Sequence, residues 1–367
     1  MESKRIIRPN PNWEEDLENS TVIDPTISDR LNTYSALKKK RTSKICKCQD
    51  VQSTGVAPRL KLNDDRYMPS FGLGTWLGFT KEGVRIDPTG TEVQNAVEWA
   101  IDAGYRHIDT AAIYNTEDQV GRAVNKKIAD GVVKREDIFV TTKLWNTDHA
   151  KDAVLPALRK SLKTLNLDYV DLYLIHWPIS SFANGSLSNV DYLETWQAMI
   201  EARDLGLTKS IGVSNFNQQM LDRLMSLSPV KPASLQVELN LNLQQPALLT
   251  FCRQHGIIVT GYTPFGSLFH SKATPNAPPP RTDDKALLDI ATKYNKTVPQ
   301  INLRYLVELG VVPIPKSVTK SRIEQNIQVF DFQLTQQEKD LLKSYDRHYR
   351  TIDVKFWKDS PYYPFEK

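Results

Sequence analysis

Cysteine is almost missing from this chain. Only Cys46, Cys48 and Cys252 occur among 367 residues. An odd number without paired spacing makes no disulfide framework and fits a reducing compartment. Cys46 and Cys48 have no histidine or further cysteine close by in sequence, so they do not read as a zinc site, and no metal is expected. No run of about 18 apolar residues is present, so nothing reads as a membrane span. The opening MESKRIIRPNPNWEEDLENS lacks the apolar core of a secretory signal, and a cytoplasmic location follows as the expectation. An excess of one charge is missing too. Lys and Arg number 47 against 43 Asp and Glu, a net charge of +4, too little to argue for a nucleic-acid partner.

What is present falls into two textures. Residues 1–57 mix charge, Pro, Asn and Ser without a sustained apolar period, and carry the basic run Lys38, Lys39, Lys40, Arg41, Lys44 and Lys47. That reads as an appended flexible arm, either simply solvated or serving as an import signal or acidic-surface contact. From residue 58 the chain becomes regular, and 58–367 reads as one domain. PRLKLNDDRYMPS alternates around Asp64 and Asp65 like a hairpin. Eight β-rich runs follow, at 71–75, 106–109, 138–143, 170–177, 209–214, 234–238, 257–262 and 311–316. Between them lie amphipathic segments such as EVQNAVEWAIDAG and DAVLPALRKSLKTLN, apolar at helical spacing. Parallel strands need helical crossovers, and at eight repeats such a sheet closes. The expectation is an α/β fold, a (β/α)8 TIM barrel with the N-terminal hairpin closing its bottom. An open doubly wound sheet is the competitor, weakened because GLGTW at 72–76 has two glycines of a dinucleotide turn but neither the third nor a helix start.

In such a barrel the chemistry sits where strands end. Those ends here are Gly74, Thr75 and Trp76; Asp109 with Tyr114 in its loop; Lys143; His176 and Trp177; Ser214 and Asn215; Gln236; Tyr262; and Lys316 with Ser317. Singly, each has an ordinary use as a cap, a packed core group or a surface charge. Converging on one mouth, Asp109, Tyr114, Lys143 and His176 make an acid and base set. A phenol is a poor proton donor near neutrality, and a cation beside its oxygen lowers its pKa. At about 4 Å and an effective dielectric near 20, Lys143 would contribute on the order of 4 kcal/mol, an upper bound of about three pKa units. Asp109 would hold the ammonium, and His176 would orient the substrate oxygen.

DTAAIYNTEDQVG, the Lys143 of TTKLW, the His176 of LIHWP, GVSNFN and IPKSVTKSRIEQN, in register over 58–367, resemble the aldo-keto reductase superfamily of NADPH-dependent (β/α)8 carbonyl reductases. The resemblance implies Tyr114 as general acid, Lys143 and Asp109 as its tuning pair, and His176 as the group that polarises the carbonyl. It implies NADPH/NADP+ as cofactor. Ser214, Asn215 and Gln236 would face the carboxamide, Tyr262 the nicotinamide ring, and Lys316, Ser317, Thr319 and Arg322 the 2′-phosphate, with Asn326 near the adenine. Gly74, Thr75, Trp76, Asp109, Thr263, Phe265 and Ser267 complete the implied cofactor contacts. A cationic pair beside hydroxyls at a helix start suits a dianionic phosphate. Gln325 stands where many members have an acid, and the Pro-rich 266–281 loop lacks an obvious order-giving core.

Trp76, Ile113, Tyr114, Trp145, His176, Trp177 and Trp357 would wall the substrate, with Tyr362, Tyr363 and Phe365 in a C-terminal tail that in this family folds over the mouth. An aromatic wall favours an apolar carbonyl compound. The texture is most similar to insect members that reduce ketosteroids such as 3-dehydroecdysone, with general aldehyde reduction next. The expected partner is a small-molecule carbonyl substrate, and the expected state a monomer. Two other functions compete: an NADPH-binding regulatory or structural barrel, opposed by the intact four-residue set, and a Schiff-base aldolase or isomerase on Lys143, opposed by the phosphate grip.

Overall fold

The computed structural model describes residues 54–80 and 84–365. The basic run and Cys46 and Cys48 lie outside the described residues. Near the start, β1 (Arg59–Lys61) and β2 (Tyr67–Pro69) pair antiparallel with Leu60 opposite Met68, turning at Asp65, whose φ is +68°. Leu62 and Met68 pack with Phe139, Leu172, Leu174, Ala233 and Val312. Several of these lie at strand beginnings, so the hairpin plugs the bottom of the barrel, as expected.

Eight parallel strands follow in chain order: β3 (Leu73–Gly74), β4 (His107–Asp109), β5 (Phe139–Leu144), β6 (Val170–Ile175), β7 (Thr208–Ser214), β8 (Ser234–Glu238), β9 (Ile258–Tyr262) and β10 (Val311–Pro313). The ring closes where Gly72 and Gly74 donate their N–H groups to Pro313 O at 3.1 Å and Pro315 O at 3.2 Å. Glycine is required at that seam, because a Cβ on Gly74 would stand 2.8 Å from Ile314 O. The last strand is shorter than the sequence suggests, since Pro313 and Pro315 have no N–H to extend a ladder.

Helices cover the outside. α1 (Glu92–Asp102) buries Val93, Ala96, Val97, Ala100 and Ile101, the stripe that helical periodicity dictates, each large side chain contributing roughly 1.5–3 kcal/mol. α2 (Glu117–Ala129) and α3 (Lys151–Leu165) follow β4 and β5. α3 stops where Asn166 turns left-handed at φ 52°. Gly121 of α2 allows this helix to lie directly against the Leu165 backbone, where a Cβ would collide. α4 (Tyr192–Asp204) follows β6, and α5 (Gln218–Leu227) starts on the Asn217 side chain, which accepts from Met220 N–H at 3.0 Å. After α6 (Pro246–Gln254) and α7 (Lys285–Tyr294), α8 (Val298–Glu308) opens on a Thr297–Gln300 capping box. Among the described residues no helix is long and apolar enough to cross a membrane.

Candidate active site

β4 delivers Asp109 to the mouth, and a 3-10 turn, Ala112–Tyr114, lifts the tyrosine above it. Asn115, left-handed at φ 56°, turns the chain back into α2. Hydroxyls brace this exit: Thr75 Oγ1 donates to Asp109 O at 2.9 Å, and Thr116 Oγ1 lies 3.2 Å from both Thr75 and Thr110 Oγ1. Beside it, β5 brings up Lys143, whose side chain is wholly buried. Its ammonium donates to Asp109 Oδ1 at 2.6 Å, Thr110 O at 2.8 Å and Tyr114 Oη at 3.1 Å. Three donors meet three acceptors, the arrangement an ammonium needs to stay charged without water. Burial pushes Lys143 down and Asp109 up, each opposed by the other's charge.

Tyr114 corrects one expectation. Its phenol is held well above the ordinary value, by burial first and then by the Asp109 charge, whereas the sequence reading has Lys143 lowering it. Asp109 stands 2.6 Å from the ammonium and neutralises it, so the phenol senses a nearly neutral pair inside an apolar pocket. Tyr114 therefore carries its proton at neutral pH. His176 follows the end of β6 with its Nε2 3.5 Å from Tyr114 Oη. Burial, the Lys143 charge and His149 hold its pKa well below the usual histidine value. The imidazole is neutral and has a single N–H.

On the opposite wall, Ser214, Asn215, Gln236 and Tyr262 come together from β7, β8 and β9. Tyr262 Oη donates to Asn215 Oδ1 at 2.8 Å, and Asn215 Nδ2 donates to His176 O at 2.9 Å and Ser214 Oγ at 3.1 Å. Gln236 Nε2 donates to Asp109 Oδ2 at 2.7 Å, so both oxygens of that carboxylate are engaged. Asn215 is left-handed at φ 62° and Thr263, beyond β9, at φ 47°, conformations that persist in a β-branched residue only where surroundings impose them.

Gly74, Thr75, Lys316 and Ser317 line one crevice at the barrel seam. Thr319 precedes the short helix α9 (Lys320–Asn326), with Arg322 exposed and Asn326 buried. Lys316 and Arg322 make no ion pair among the described residues; Lys272 adds a further positive charge near Lys316. The 266–281 loop is better ordered than its sequence suggests. Leu268 joins a core cluster that Phe265 also packs against, Ser267 Oγ donates to Asn242 Oδ1 at 2.8 Å, and Arg281 donates to the carbonyls of Ala277, Pro278 and Pro280.

Aromatic side chains enclose the mouth. Trp76 stacks on Tyr114 with centroids 6.2 Å apart, Trp145 meets His176 edgewise at 5.2 Å, and Trp357 from the tail spans Trp145 at 6.1 Å and Trp177 at 5.6 Å. Ile113 lies between Ala112 and Tyr114 on the 3-10 turn, its carbonyl accepting from Arg85 at 3.1 Å. Tyr362 packs on Tyr192 instead, and Phe365 on Trp177 and Tyr363. Sequence reasoning missed Glu238, at the end of β8, whose buried carboxylate accepts from the N–H groups of Thr351 and Ile352 and from Thr351 Oγ1. It also missed Asn146 and His149, three and six residues beyond Lys143. The strand-end rule that selects Lys143 points to that same exit.

With this geometry in place, residues 70–347 match the model of the Aldo/keto reductase family. Aldo-keto reductase AKR2E4 of Bombyx mori is 52% identical over 84% of this chain and 98% of its own length. The chain belongs to the aldo/keto reductase family. Aldo-keto reductase family 1 member C18 of Rattus norvegicus is 40% identical over 84% of the chain and 97% of that protein. The crystal structure of the B. mori AKR2E4 in complex with NADP superposes at TM-score 0.81 with 51% identity, covering 84% of this chain and 99% of that one. An AKR2E5 structure complexed with NADPH superposes at 0.82 with 45% identity, covering 84% and 94%. Aldo/keto reductases are NADP-dependent oxidoreductases acting on small carbonyl compounds, and this chain presents their fold with the polar mouth that the chemistry needs.

Proposed function

We propose that this protein reduces apolar aldehydes and ketones with NADPH, that Tyr114 is the general acid, and that ketosteroids such as 3-dehydroecdysone are within its substrate range. One observation carries the reading: Tyr114 Oη lies 3.1 Å from Lys143 Nζ and 3.5 Å from His176 Nε2. A carbonyl oxygen placed against that hydroxyl and that ring nitrogen accepts two hydrogen bonds, which orient it and draw electron density from its carbon. NADPH, when bound, supplies the hydride. As negative charge builds on the oxygen, Tyr114 releases its proton to it, and the phenolate left behind rests against the Lys143 ammonium. Asp109 and Gln236 keep that ammonium in place through the carboxylate between them. The raised phenol pKa keeps the proton on Tyr114 until negative charge has built on the substrate oxygen.

The fit to NADPH rests on this chain's own groups. Ser214, Asn215 and Gln236 gather amide and hydroxyl functions beside Tyr262, matched to a carboxamide and an aromatic ring, while Lys316 and Arg322 are exposed cations without carboxylate partners among the described residues. The Trp76, Trp145, Trp177 and Trp357 wall favours a flat apolar substrate. All these residues lie within 58–367, to which we assign the whole activity, residues 1–57 being an appended extension. The test follows NADPH oxidation with aromatic aldehydes, sugars and ketosteroids, in wild type and Tyr114→Phe. Turnover should fall about 10²- to 10⁴-fold in the variant with NADPH binding retained. Unchanged turnover would remove Tyr114 from its role, and no turnover of any carbonyl by wild-type protein that binds NADPH would favour the regulatory reading.

A further inference from the structure

Around the exits of β5 and β6 the barrel holds a concentration of buried polar atoms. Among the described residues, ten buried side-chain nitrogens and oxygens have no hydrogen-bond partner, and five of them belong to three residues at the exits of two adjacent strands: Asn146 Nδ2 and Oδ1, His149 Nδ1 and Nε2, and His176 Nδ1. Asn146 and His149 are fully inside the protein, at 0% and 1% exposure. Both sit in the turn after β5, the strand that carries Lys143, and His176 sits at the end of the adjacent β6. Ser181 N–H donates to Asn146 O at 3.0 Å and Thr195 Oγ1 donates to His149 O at 2.8 Å, so the turn is pinned against the segments that follow β6. Burial pushes His149 down to about 3, so its ring is neutral, and it lies close enough to His176 that a proton on either ring would disfavour one on the other.

Buried polar groups in native proteins are satisfied by protein or by ordered water, and a buried water typically makes about three hydrogen bonds. Amide and imidazole groups can each both donate and accept, which is what such a water requires. We propose that buried water joins Asn146 and His149 to His176 Nδ1 and presents a hydrogen-bond donor to it, making Asn146 and His149 positioning residues that hold His176 in its Nε2–H tautomer. The step matters because a neutral imidazole has one proton. His176 can donate to a carbonyl oxygen from Nε2, the nitrogen facing Tyr114 Oη, only while Nδ1 is an acceptor. Asn215 Nδ2, bound to His176 O, fixes the backbone of this residue but leaves the tautomer undecided.

This inference rests on the reductase reading for its catalytic consequence, but its physical core does not. The decisive measurement is ¹⁵N NMR of histidine-labelled full-length protein, with the His176 signals assigned by their loss in His176→Gln. Wild type should show a single Nε2–H tautomer, with cross-peaks from bulk-exchanging water to the rings of His149 and His176. Asn146→Leu and His149→Phe should give mixed tautomers and at least a tenfold loss of kcat with unchanged NADPH affinity, and His149→Gln, which restores a polar group, should recover much of it. The proposal is overturned by an unaltered tautomer in both apolar variants, or by no water contact in wild type, a readout that stands even if a variant fails to fold. Equal kcat losses in His149→Gln and His149→Phe would also overturn it. A wild type without turnover that shows the tautomer and the water contacts would support the network while sinking the reductase reading.

Discussion

Replacing Lys143 with methionine keeps most of the stem's bulk and removes only the charge, leaving Asp109 buried with Gln236 Nε2 as its remaining side-chain partner at 2.7 Å. At 2.6 Å and an effective dielectric near 20 the lost attraction is about 6 kcal/mol, of which desolvation of the ammonium returns a part. Breaking one side of a buried pair typically costs about 3–5 kcal/mol, a large share of the roughly 5–15 kcal/mol that keeps a domain folded. The pH dependence has a definite sign. The folded Asp109 carboxyl is already raised by burial, and without its cation it rises further above the unfolded value of about 3.9. Above that value the unfolded chain gives up a proton that the folded state keeps, so the loss grows with pH by up to about 1.4 kcal/mol per unit, and shrinks again on acidification. Urea unfolding followed by tryptophan fluorescence at pH 5 and pH 7 measures it. The double variant Lys143→Met with Asp109→Leu should be much less destabilised than the sum of the singles. A Lys143→Met protein within about 1 kcal/mol of wild type, or equally destabilised at both pH values, would refute the buried-pair reasoning.

Arg322→Ala should weaken NADPH binding about ten- to a hundredfold, the worth of one charge-assisted contact, and leave NADH nearly unchanged; equal losses for both would contradict the phosphate assignment. Because His176 is held well below the ordinary histidine range, no step in its NMR titration belongs between about pH 6 and 8, and a midpoint near the usual value would contradict its neutral role. Glu238→Ala should free the tail at Thr351 and Ile352, seen as faster proteolysis beyond residue 350 and a higher KM for bulky ketones; identical digestion would mean the aromatic contacts of Trp357 hold the tail by themselves. The Cys252 thiol is buried and pushed up to about 12, so it should alkylate only on unfolding; mass spectrometry showing rapid modification in the native protein would contradict its core placement.

Strand and helix alternation was legible because each element repeats a local rule: period two or a short apolar run for strands, the 3.6-residue stripe for helices such as α1. The rule that barrel chemistry gathers at strand ends then selected Asp109, Tyr114, Lys143 and His176, and the structure brings all four to one place. Strand lengths were less legible at β10, where prolines interrupt the ladder, and the 266–281 loop hid its order because Arg281 binds backbone carbonyls that no residue pattern announces. Glu238 escaped notice because its partners lie more than a hundred residues away, in the tail.

What the amino-acid sequence determined by itself was the barrel, its plug and the identity of the groups at its mouth, all of which follow from local periodicity and position along each strand. How those groups act on one another is set by their packing in three dimensions. Burial lifts the Tyr114 phenol first and the Asp109 charge second, and both follow from how β4 and β5 pack these groups together away from water. Electrostatic energy depends on distance and on exclusion of water, and neither is written in the order of residues.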